Sequence, residues 1–312
     1  MKLIRDLPAD HAAGERCVAA IGTFDGVHLG HQSVIRQAAR FARRLKLPAL
    51  VVTFEPHPQE YFNPGSAPAR ITSFREKIEA LRRLPVHTVC CLRFGPRLAA
   101  LEPEQFVECL LVRGLGVEGI VVGEDFRFGR NRRGDFNTLV ELSRDWNYRV
   151  EPVQTFAMDG GRISSSRIRG ALLAGKVDAA GAMLGRPFEI SGRVRPGDRR
   201  GRVLGFPTAN IGLGARTSPV LGIFVVDVRL PDGSWRHGVA SVGTRPMFDG
   251  RSLLLEVHIL DFDGDLYRRR LQVRFLKWLR AEENFETVEQ LRARIRDDIA
   301  RARAFLSANK CK

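Results

Sequence analysis

Short apolar runs alternate with amphipathic segments through the first 185 residues. The apolar runs are brief and continuous, as in buried strands, and lie at 17–24, 49–54, 87–94 and 117–122. Between them, residues 31–47 are apolar at helical spacing, and 73–85 begins with serine and ends with proline, as a helix does. The pattern therefore predicts an α/β fold with a doubly wound, Rossmann-like parallel sheet and crossover helices.

The pattern changes near residue 185. Residues 164–185 predict two short helices, and beyond them brief apolar runs are separated by turn signals such as Pro-Asp-Gly. This spacing predicts a small antiparallel β-barrel. The apolar-periodic segment 286–306 predicts a closing helix. We therefore expect two domains, 1–185 and 186–312.

The net charge of the chain indicates which chemical classes of partner it favours. A formal net charge of +15 favours an acidic partner, either nucleic acid or phosphorylated small molecules. The arginines are scattered in several short tracts, and aromatic residues do not interleave with them as base stacking on a single strand requires. We therefore expect no nucleic-acid partner, although a non-enzymatic RNA- or DNA-binding protein stays the alternative that charge alone allows.

Cysteine use and hydropathy bear on the compartment. The five cysteines include no CxxC pair, which disfavours a zinc site or a disulfide framework, and Cys90 and Cys91 lie in a strand-like run as small buried residues. The first residues lack the apolar stretch of a signal peptide, and no apolar run approaches the length of a membrane span. We expect a cytoplasmic protein without a membrane partner.

The stretch "GTFDGVHLGHQ", residues 22–32, carries the first candidate chemistry. A strand ending in glycine, a loop and a helix beginning near Gly30 would present backbone N–H groups to a phosphate. His28 and His31 add imidazole donors to such a site. A metal site would need further ligands, for which His57 is the nearby candidate, and a core position does not suit histidines flanked by glycines and an aspartate. Phosphate contact is the favoured interpretation.

Four motifs in order, "GTFDGVHLGHQ", "EPHP", "GEDFRFGRNRRGD" and "ISSSRIR", resemble the adenylyltransferase half of bifunctional prokaryotic riboflavin kinase/FAD synthetases. The resemblance implies that His28 and His31 stabilise charge on the α-phosphate of ATP during in-line AMP transfer. It also implies a set of residues that bind nucleotide or flavin: Gly22, Phe24, Asp25, Gly30, His57, Asp125, Phe128, Ser164, Ser165, Ser166 and Arg167. Two alternatives stay open: Ser165 or Ser166 as a helix cap, and Phe128 as a buried aromatic residue beside a turn.

The second half carries its own motif. "GRVLGFPTANI", residues 201–211, resembles the riboflavin kinase motif, which implies that Gly205 and Pro207 bind nucleotide and that Thr208 and Asn210 hold Mg²⁺ against the ATP phosphates. A plain turn is the alternative for these residues. Glu256 lies in an apolar strand, and the resemblance makes it the base that accepts a proton from the ribityl 5′-hydroxyl. The alternative is a surface-facing strand residue.

The resemblance covers nearly the whole chain and implies a bifunctional enzyme. It would phosphorylate riboflavin to FMN with ATP and then adenylylate FMN to FAD, releasing pyrophosphate. The alternative is a nucleotidyltransferase for another phosphorylated acceptor, with the barrel as a specificity module. The chain departs from the family pattern at Met247, Phe224 and the pair Asp198–Arg199, so we expect these positions to affect nucleotide or flavin affinity in the kinase half.

Overall fold

The computed structural model describes residues 1–6, 16–153, 156–197, 201, 204–213, 218–247 and 250–309, with the backbone alone at 244–247 and 250–252. These residues divide into two compact units, Met1–Pro68 with Thr72–Ser164, and Ala69–Ile71 with Ser165–Lys312. Asp198, Arg199 and the side chain of Met247 lie outside the described residues, so the expectations for them stay predictions.

The first unit contains a six-stranded sheet. Its strands are β1 (Lys2–Arg5), β2 (Cys17–Ile21), β3 (Ala49–Glu55), β4 (Thr88–Arg93), β5 (Val117–Gly123) and β6 (Arg149–Val153). They stand in the order β1-β4-β3-β2-β5-β6, and every neighbouring pair is parallel. The order reverses at β2, because β3 lies on one side of it and β5 on the other. In such sheets, ligands bind beyond the carboxyl ends of the strands at this reversal.

Helices cover both faces of this sheet. They are α1 (Leu29–Leu45), α2 (Pro58–Phe62), α3 (Phe74–Arg82), α4 (Pro96–Ala99), α5 (Pro103–Gln105), a π-helix (Phe106–Gly114), a 3₁₀ turn (Arg130–Arg132) and α6 (Phe136–Trp146). Ile35 of α1 and Leu81 of α3 pack with Val18 and Val51 of the sheet, whereas Leu111 of the π-helix packs on the other face. The predicted doubly wound parallel sheet is confirmed.

Two features of the first unit were not predicted. The strand β1 pairs in parallel with β4 from Lys2↔Thr88 to Arg5↔Cys91 at the edge of the sheet, but four residues are too few to show a hydrophobic period. A two-stranded hairpin, β7 (Ala157–Met158) and β8 (Gly161–Arg162), follows β6.

The second unit is a closed antiparallel barrel with flanking helices. Its elements are α7 (Ser165–Leu173), α8 (Val177–Leu184), β9 (Glu189–Arg195), β10 (Ala209–Gly212), β11 (Gly222–Arg229), β12 (Trp235–Met247), β13 (Gly250–Ile259), β14 (Arg270–Arg280) and α9 (Val288–Asn309). The barrel order is β10-β13-β12-β11-β14-β9. The barrel and the closing helix were both predicted, and both are confirmed.

Several strands of the barrel contribute side chains to its core. Ile211, Phe224 and Leu255 are fully buried, and Phe224 packs edge-on against Phe275 at 5.1 Å. Elsewhere in the unit, Ala302 and Leu306 of α9 pack against Ile223 and Leu279. Among the described residues, no helix is both long and apolar enough to cross a bilayer.

Candidate active sites

The loop between β2 and α1 has an unusual backbone. Phe24, Gly26 and Val27 all have positive φ, at +49°, +85° and +43°. Only glycine adopts this region without cost, so the two non-glycine residues are strained and the surroundings must hold them in place. Both are also buried, Phe24 and Val27 each being 1% exposed.

His28 caps α1 and is itself buried. It is 5% exposed, and its Nδ1 accepts a hydrogen bond from the backbone N–H of His31 at 3.2 Å. The two imidazole rings stack with centroids 3.6 Å apart and 17° between their planes. A Cβ at Gly30 would lie 3.2 Å from the His28 ring, so the glycine makes room for this arrangement. The predicted helix start near Gly30 agrees with α1, which begins at Leu29. The expectation that a core position does not suit these histidines is wrong for His28, which is buried as the cap of this helix.

Gly22 and Phe24 shape the floor of this site. A Cβ at Gly22 would lie 3.2 Å from the Phe24 ring, and that ring meets His31 edge-on with centroids 5.2 Å apart. The backbone N–H of Gly22 donates to the carbonyl of Val52, which joins the end of β2 to β3. These two residues pack around the histidines, and their contact with nucleotide stays a prediction.

Asp25 is buried and is bound within the protein. Its Oδ1 accepts hydrogen bonds from the backbone N–H of Thr72 at 3.0 Å and from the Thr72 hydroxyl at 3.2 Å. The same hydroxyl accepts from the backbone N–H of Gly26 at 3.0 Å. Thr72 therefore fixes the middle of the loop, a role that the sequence reasoning missed.

His57, in the "EPHP" motif, caps the short helix α2. The Nδ1 of His57 accepts a hydrogen bond from the backbone N–H of Gln59 at 3.1 Å, and the backbone N–H of His57 donates to the Glu60 carboxylate at 3.2 Å. Within the part of the chain that the structure describes, no group of three or more His, Cys, Asp or Glu residues is arranged to hold a metal ion.

The loop after β5 places its two predicted residues differently. The Asp125 carboxylate is exposed and pairs with Arg162 of β8 at 2.5 Å. Phe128 is 5% exposed and lies in the core against Phe106 and Phe126, with ring centroids 5.2 Å and 5.6 Å away. The open alternative of a buried aromatic residue beside a turn describes its packing, and its role in flavin binding stays a prediction.

The "SSSRIR" stretch crosses the division between the two units. Ser164 ends the first unit, whereas α7 begins at Ser165 and includes Ser166 and Arg167 in its first turn. Ser166 is exposed and Arg167 is half-buried. A helix start of this kind suits an anion as well as a cap, so the two interpretations of these serines remain compatible.

Three polar side chains stand in one row across the barrel. On β13, Glu256 pairs with Asn210 of β10 on one side and with Ser241 of β12 on the other. Cross-strand neighbours of this kind have Cβ atoms about 4.5–5.5 Å apart on the same face. Glu256 is half-buried, because strand alternation directs it away from the side of the fully buried Leu255. Glu256 is therefore neither in the core nor fully on the surface.

The "PTAN" turn lies beside this row. The backbone at Gly205 has φ +89°, and Pro207 is exposed while Thr208 is half-buried. The Nδ1–H of His258, two residues after Glu256, donates to the Pro207 carbonyl at 2.9 Å. His258, which the sequence reasoning did not single out, thus holds the turn against the strand that carries Glu256.

A cavity that is open to solvent and lined by both polar and apolar groups lies in the barrel unit. Its volume is about 400 Å³, and Leu173, Leu221, Trp278 and Glu282 contribute to its lining. The Ser241 hydroxyl donates to the Glu282 carboxylate at 3.3 Å, which links the cavity to the row of Glu256. Pockets for small molecules commonly have about this volume.

Three of the cysteines behave as small core residues. Cys17, Cys90 and Cys91 are each 5% exposed or less, and burial raises the pKa of the Cys90 thiol to about 12 and that of Cys91 to about 11. A thiol of this kind is protonated near neutral pH and is a poor nucleophile. The prediction for Cys90 and Cys91 is confirmed.

The fold and the two sites define a class of protein. A helix start with paired histidines at the switch point of a parallel sheet, joined to a barrel bearing a glutamate beside a Thr-Ala-Asn turn, is typical of an enzyme that handles phosphates at two places. The FAD synthetase family model matches residues 10–167, and the riboflavin kinase family model matches 184–306. The chain belongs to the family of bifunctional riboflavin kinase/FMN adenylyltransferases, and it is an enzyme of FAD biosynthesis with both domains.

Individual relatives agree over nearly the full length. A bifunctional riboflavin kinase/FMN adenylyltransferase from Pseudomonas fluorescens is 45% identical over 306 residues, which are 97% of each chain. The enzyme of the same name from Escherichia coli (strain K12) is 43% identical and covers 99% of each. A crystal structure from Streptococcus pneumoniae, described as a macrolide-efflux protein, has a TM-score of 0.84 at 32% identity, covering 97% of this chain and 99% of that one. The family resemblance inferred from the motifs is confirmed.

Proposed function

We propose that residues 1–185 carry FMN adenylylation and that residues 186–312 carry riboflavin phosphorylation. In the second reaction of the sequence, a phosphate oxygen of FMN attacks the α-phosphorus of ATP. The new P–O bond gives FAD as the bond to pyrophosphate breaks. The capped and stacked histidine pair at the start of α1 is the observation that supports this assignment most strongly.

His28 and His31 act by electrostatics and positioning. Because Nδ1 of His28 accepts the backbone N–H of His31, a neutral His28 ring carries its proton on Nε2, which is then a hydrogen-bond donor. The N-terminal dipole of α1 adds to this field, and none of the residues in its first turn is acidic. Donors fixed before the reaction stabilise charge that develops on the α-phosphate, with no covalent intermediate on the enzyme.

The other predicted residues of this half keep the roles that the resemblance implies. Gly22, Phe24, Asp25 and Gly30 shape the histidine loop, whereas His57 follows β3 and Asp125 follows β5, the strands on either side of β2. Ser164, Ser165, Ser166 and Arg167 are proposed to bind the triphosphate, and Phe128 to support the flavin site from the core.

In the kinase half, we assign the base to Glu256 and the nucleotide turn to Gly205, Pro207, Thr208 and Asn210. The Glu256 carboxylate would accept the proton of the ribityl 5′-hydroxyl as the hydroxyl oxygen attacks the γ-phosphorus of ATP and the bond from that phosphorus to ADP breaks. We propose that the flavin ring binds in the cavity beside Glu282, because the hydrogen bond from Ser241 to Glu282 links this cavity to the row that carries the base. In this proposal the acceptor hydroxyl and the base share one face of the barrel.

The residues around Asn210 fit a magnesium ion. The Asn210 Oδ1 is buried and has no hydrogen-bond partner among the described residues, a costly state that a cation would relieve. Thr208 offers a second hard oxygen ligand, and ATP phosphates would complete the shell. When bound, Mg²⁺ would neutralise charge on the transferring phosphate.

The substrates of this enzyme would be riboflavin, FMN and ATP, and it would act in the cytoplasm. The high positive charge of the chain suits phosphorylated substrates. Nucleic acid and membrane are not proposed as partners.

One experiment tests both assignments. The purified chain is incubated with riboflavin, ATP and Mg²⁺, and the flavins are separated by chromatography. His31→Ala should accumulate FMN while FAD formation collapses, whereas Glu256→Gln should fail to make FMN yet convert supplied FMN to FAD. Each variant should retain the activity that the other loses, so each serves as the control for the other. Absence of both products from the unaltered chain, or normal riboflavin phosphorylation by Glu256→Gln, would refute the respective assignment.

A further inference from the structure

A buried lysine lies beside the histidine loop and belongs to none of the motifs. Lys77 is in α3, four residues after the N-cap Ser73, and it is 4% exposed. Its neighbours in the helix, Ile78 and Leu81, belong to the hydrophobic core. Burying an ammonium group is unfavourable unless hydrogen bonds replace its water, so this position calls for a physical explanation.

Lys77 finds that replacement at the ends of two strands. Its Nζ donates to the carbonyl of Thr23 at 3.2 Å, to the hydroxyl of Thr53 at 3.3 Å and to the carbonyl of Phe54 at 3.3 Å. An ammonium group has three protons to donate, and these contacts match that number. The Glu55 carboxylate lies 3.9 Å away.

These partners join the two loops that carry the predicted nucleotide-binding histidines. Thr23 follows β2 and begins the loop to His28, whereas Phe54 is followed by Glu55, at the end of β3, and then by the turn to His57. The Thr53 hydroxyl also donates to the Thr23 carbonyl at 3.1 Å. The lysine thus links the carboxyl ends of β2 and β3 through one charged group.

The loop that Lys77 holds is the strained one. Phe24 and Val27 keep positive φ angles, and such residues persist only where the surroundings fix them more than once. Thr72 binds the middle of the loop through Asp25 and Gly26, and Lys77 binds its start. Both residues belong to the segment that enters and forms the first turns of α3.

We propose that Lys77 is a positioning residue for AMP transfer. Its ammonium group holds the Thr23 carbonyl, and with it the strained loop, so that His28 and His31 meet the α-phosphate in the reactive geometry. The proposal rests on the assignment of AMP transfer to the histidine loop. Lys77 touches neither ATP nor FMN in this scheme and acts only through the loop.

The test compares two activities of one molecule. Lys77→Met removes the charge and keeps the length of the side chain. A misplacement of about 1 Å can cost about 100-fold in rate, so we expect the kcat for FAD formation from FMN to fall by about 10- to 100-fold with little change in the KM for ATP. Riboflavin phosphorylation by the same preparation should stay within about twofold of the unaltered chain.

Thr53→Val gives a second variant with a smaller perturbation. It removes the hydroxyl that bridges Lys77 and Thr23, while Thr53 is fully buried and valine has its shape. We expect a drop in the same kcat, and less than additive loss when both changes are combined. This variant decides the matter if Lys77→Met does not fold.

Ile78→Val is the matched control, since Ile78 is 5% exposed in the same helix and packs only in the core. It should lower thermal stability while the kcat per folded molecule stays unchanged. If Lys77→Met and Thr53→Val behave as Ile78→Val does, the lysine is merely structural and the proposal is wrong. An unaltered chain that makes no FAD would instead refute the assignment of AMP transfer itself.

Discussion

Arg280 and Asp298 form a buried ion pair that joins the last barrel strand to α9. The Arg280 Nε donates to both carboxylate oxygens at 3.0 and 3.1 Å, and its Nη2 donates to Oδ2 at 2.7 Å. Arg280 is 8% exposed and Asp298 is 2% exposed. We predict that Asp298→Ala strongly destabilises the barrel, because it leaves a guanidinium group buried beside a cavity.

The size of the loss follows from the burial of the pair. Removing one partner of a buried pair typically costs about 3–5 kcal/mol. Arg280 keeps a hydrogen bond to the Ala281 carbonyl at 2.9 Å and has Glu283 at 3.7 Å, so we expect the lower end, about 3 kcal/mol. Replacing both partners by apolar residues, Arg280→Met with Asp298→Leu, should recover most of this loss, since such exchanges are often neutral or stabilising.

The assay is urea unfolding followed by tryptophan fluorescence. In a Trp146→Phe background, only Trp235 and Trp278 of the three tryptophans remain, and both lie in the second unit. Asp261→Ala is the control, because it breaks an exposed contact between α9 and the barrel. In this contact Arg303 donates a hydrogen bond to the Asp261 carboxylate and lowers its pKa. A loss below about 1 kcal/mol for Asp298→Ala, or no recovery in the double variant, would refute the reasoning.

Two further predictions concern the first unit. His28→Asn should keep the cap on α1 but lose FAD formation. His28→Ala should lose FAD formation and also lower the stability by about 1 kcal/mol, because it removes the cap. Equal thermal unfolding of the two variants would contradict the role of His28 as a cap. Cys90 should resist iodoacetamide at pH 8 because burial raises its pKa to about 12, while the exposed Cys109 reacts. Peptide mass spectrometry measures the alkylation of each cysteine. Unfolding in urea should make Cys90 reactive, and labelling of Cys90 in the folded chain would contradict the burial argument.

Much of the fold could be predicted from the period of the hydrophobic residues. The elements that were not predicted are those whose type this period does not reveal. The strands β1 and β10 have four residues each, which is too short for periodicity to be visible. The nine-residue π-helix Phe106–Gly114 could not be predicted from sequence, because the apolar spacing of a π-turn resembles that of an α-helix.

Sequence motifs single out candidate site residues, but they do not show how those residues pack. The histidines, the "PTAN" turn and Glu256 were recognised by motif, whereas the cap at His28 and the half-burial of Glu256 depend on packing. Lys77 carried a signal that was available, since helical spacing in 73–85 places it on the same side as Phe74 and Leu81. A charge on an apolar helix face indicates a buried polar contact, but its partners on β2 and β3 are distant in sequence.

The pairing of β10, β13 and β12 bears on which changes of chain length the barrel tolerates. Asn210, Glu256 and Ser241 share a face only while these strands keep their register. Inserting one residue within β13 would turn either Glu256 or the strand's apolar set to the wrong side. The exposed turn at 231–233, between β11 and β12, bears no such constraint. Length differences among natural chains of this kind should therefore collect at hairpin tips and spare the strand interiors.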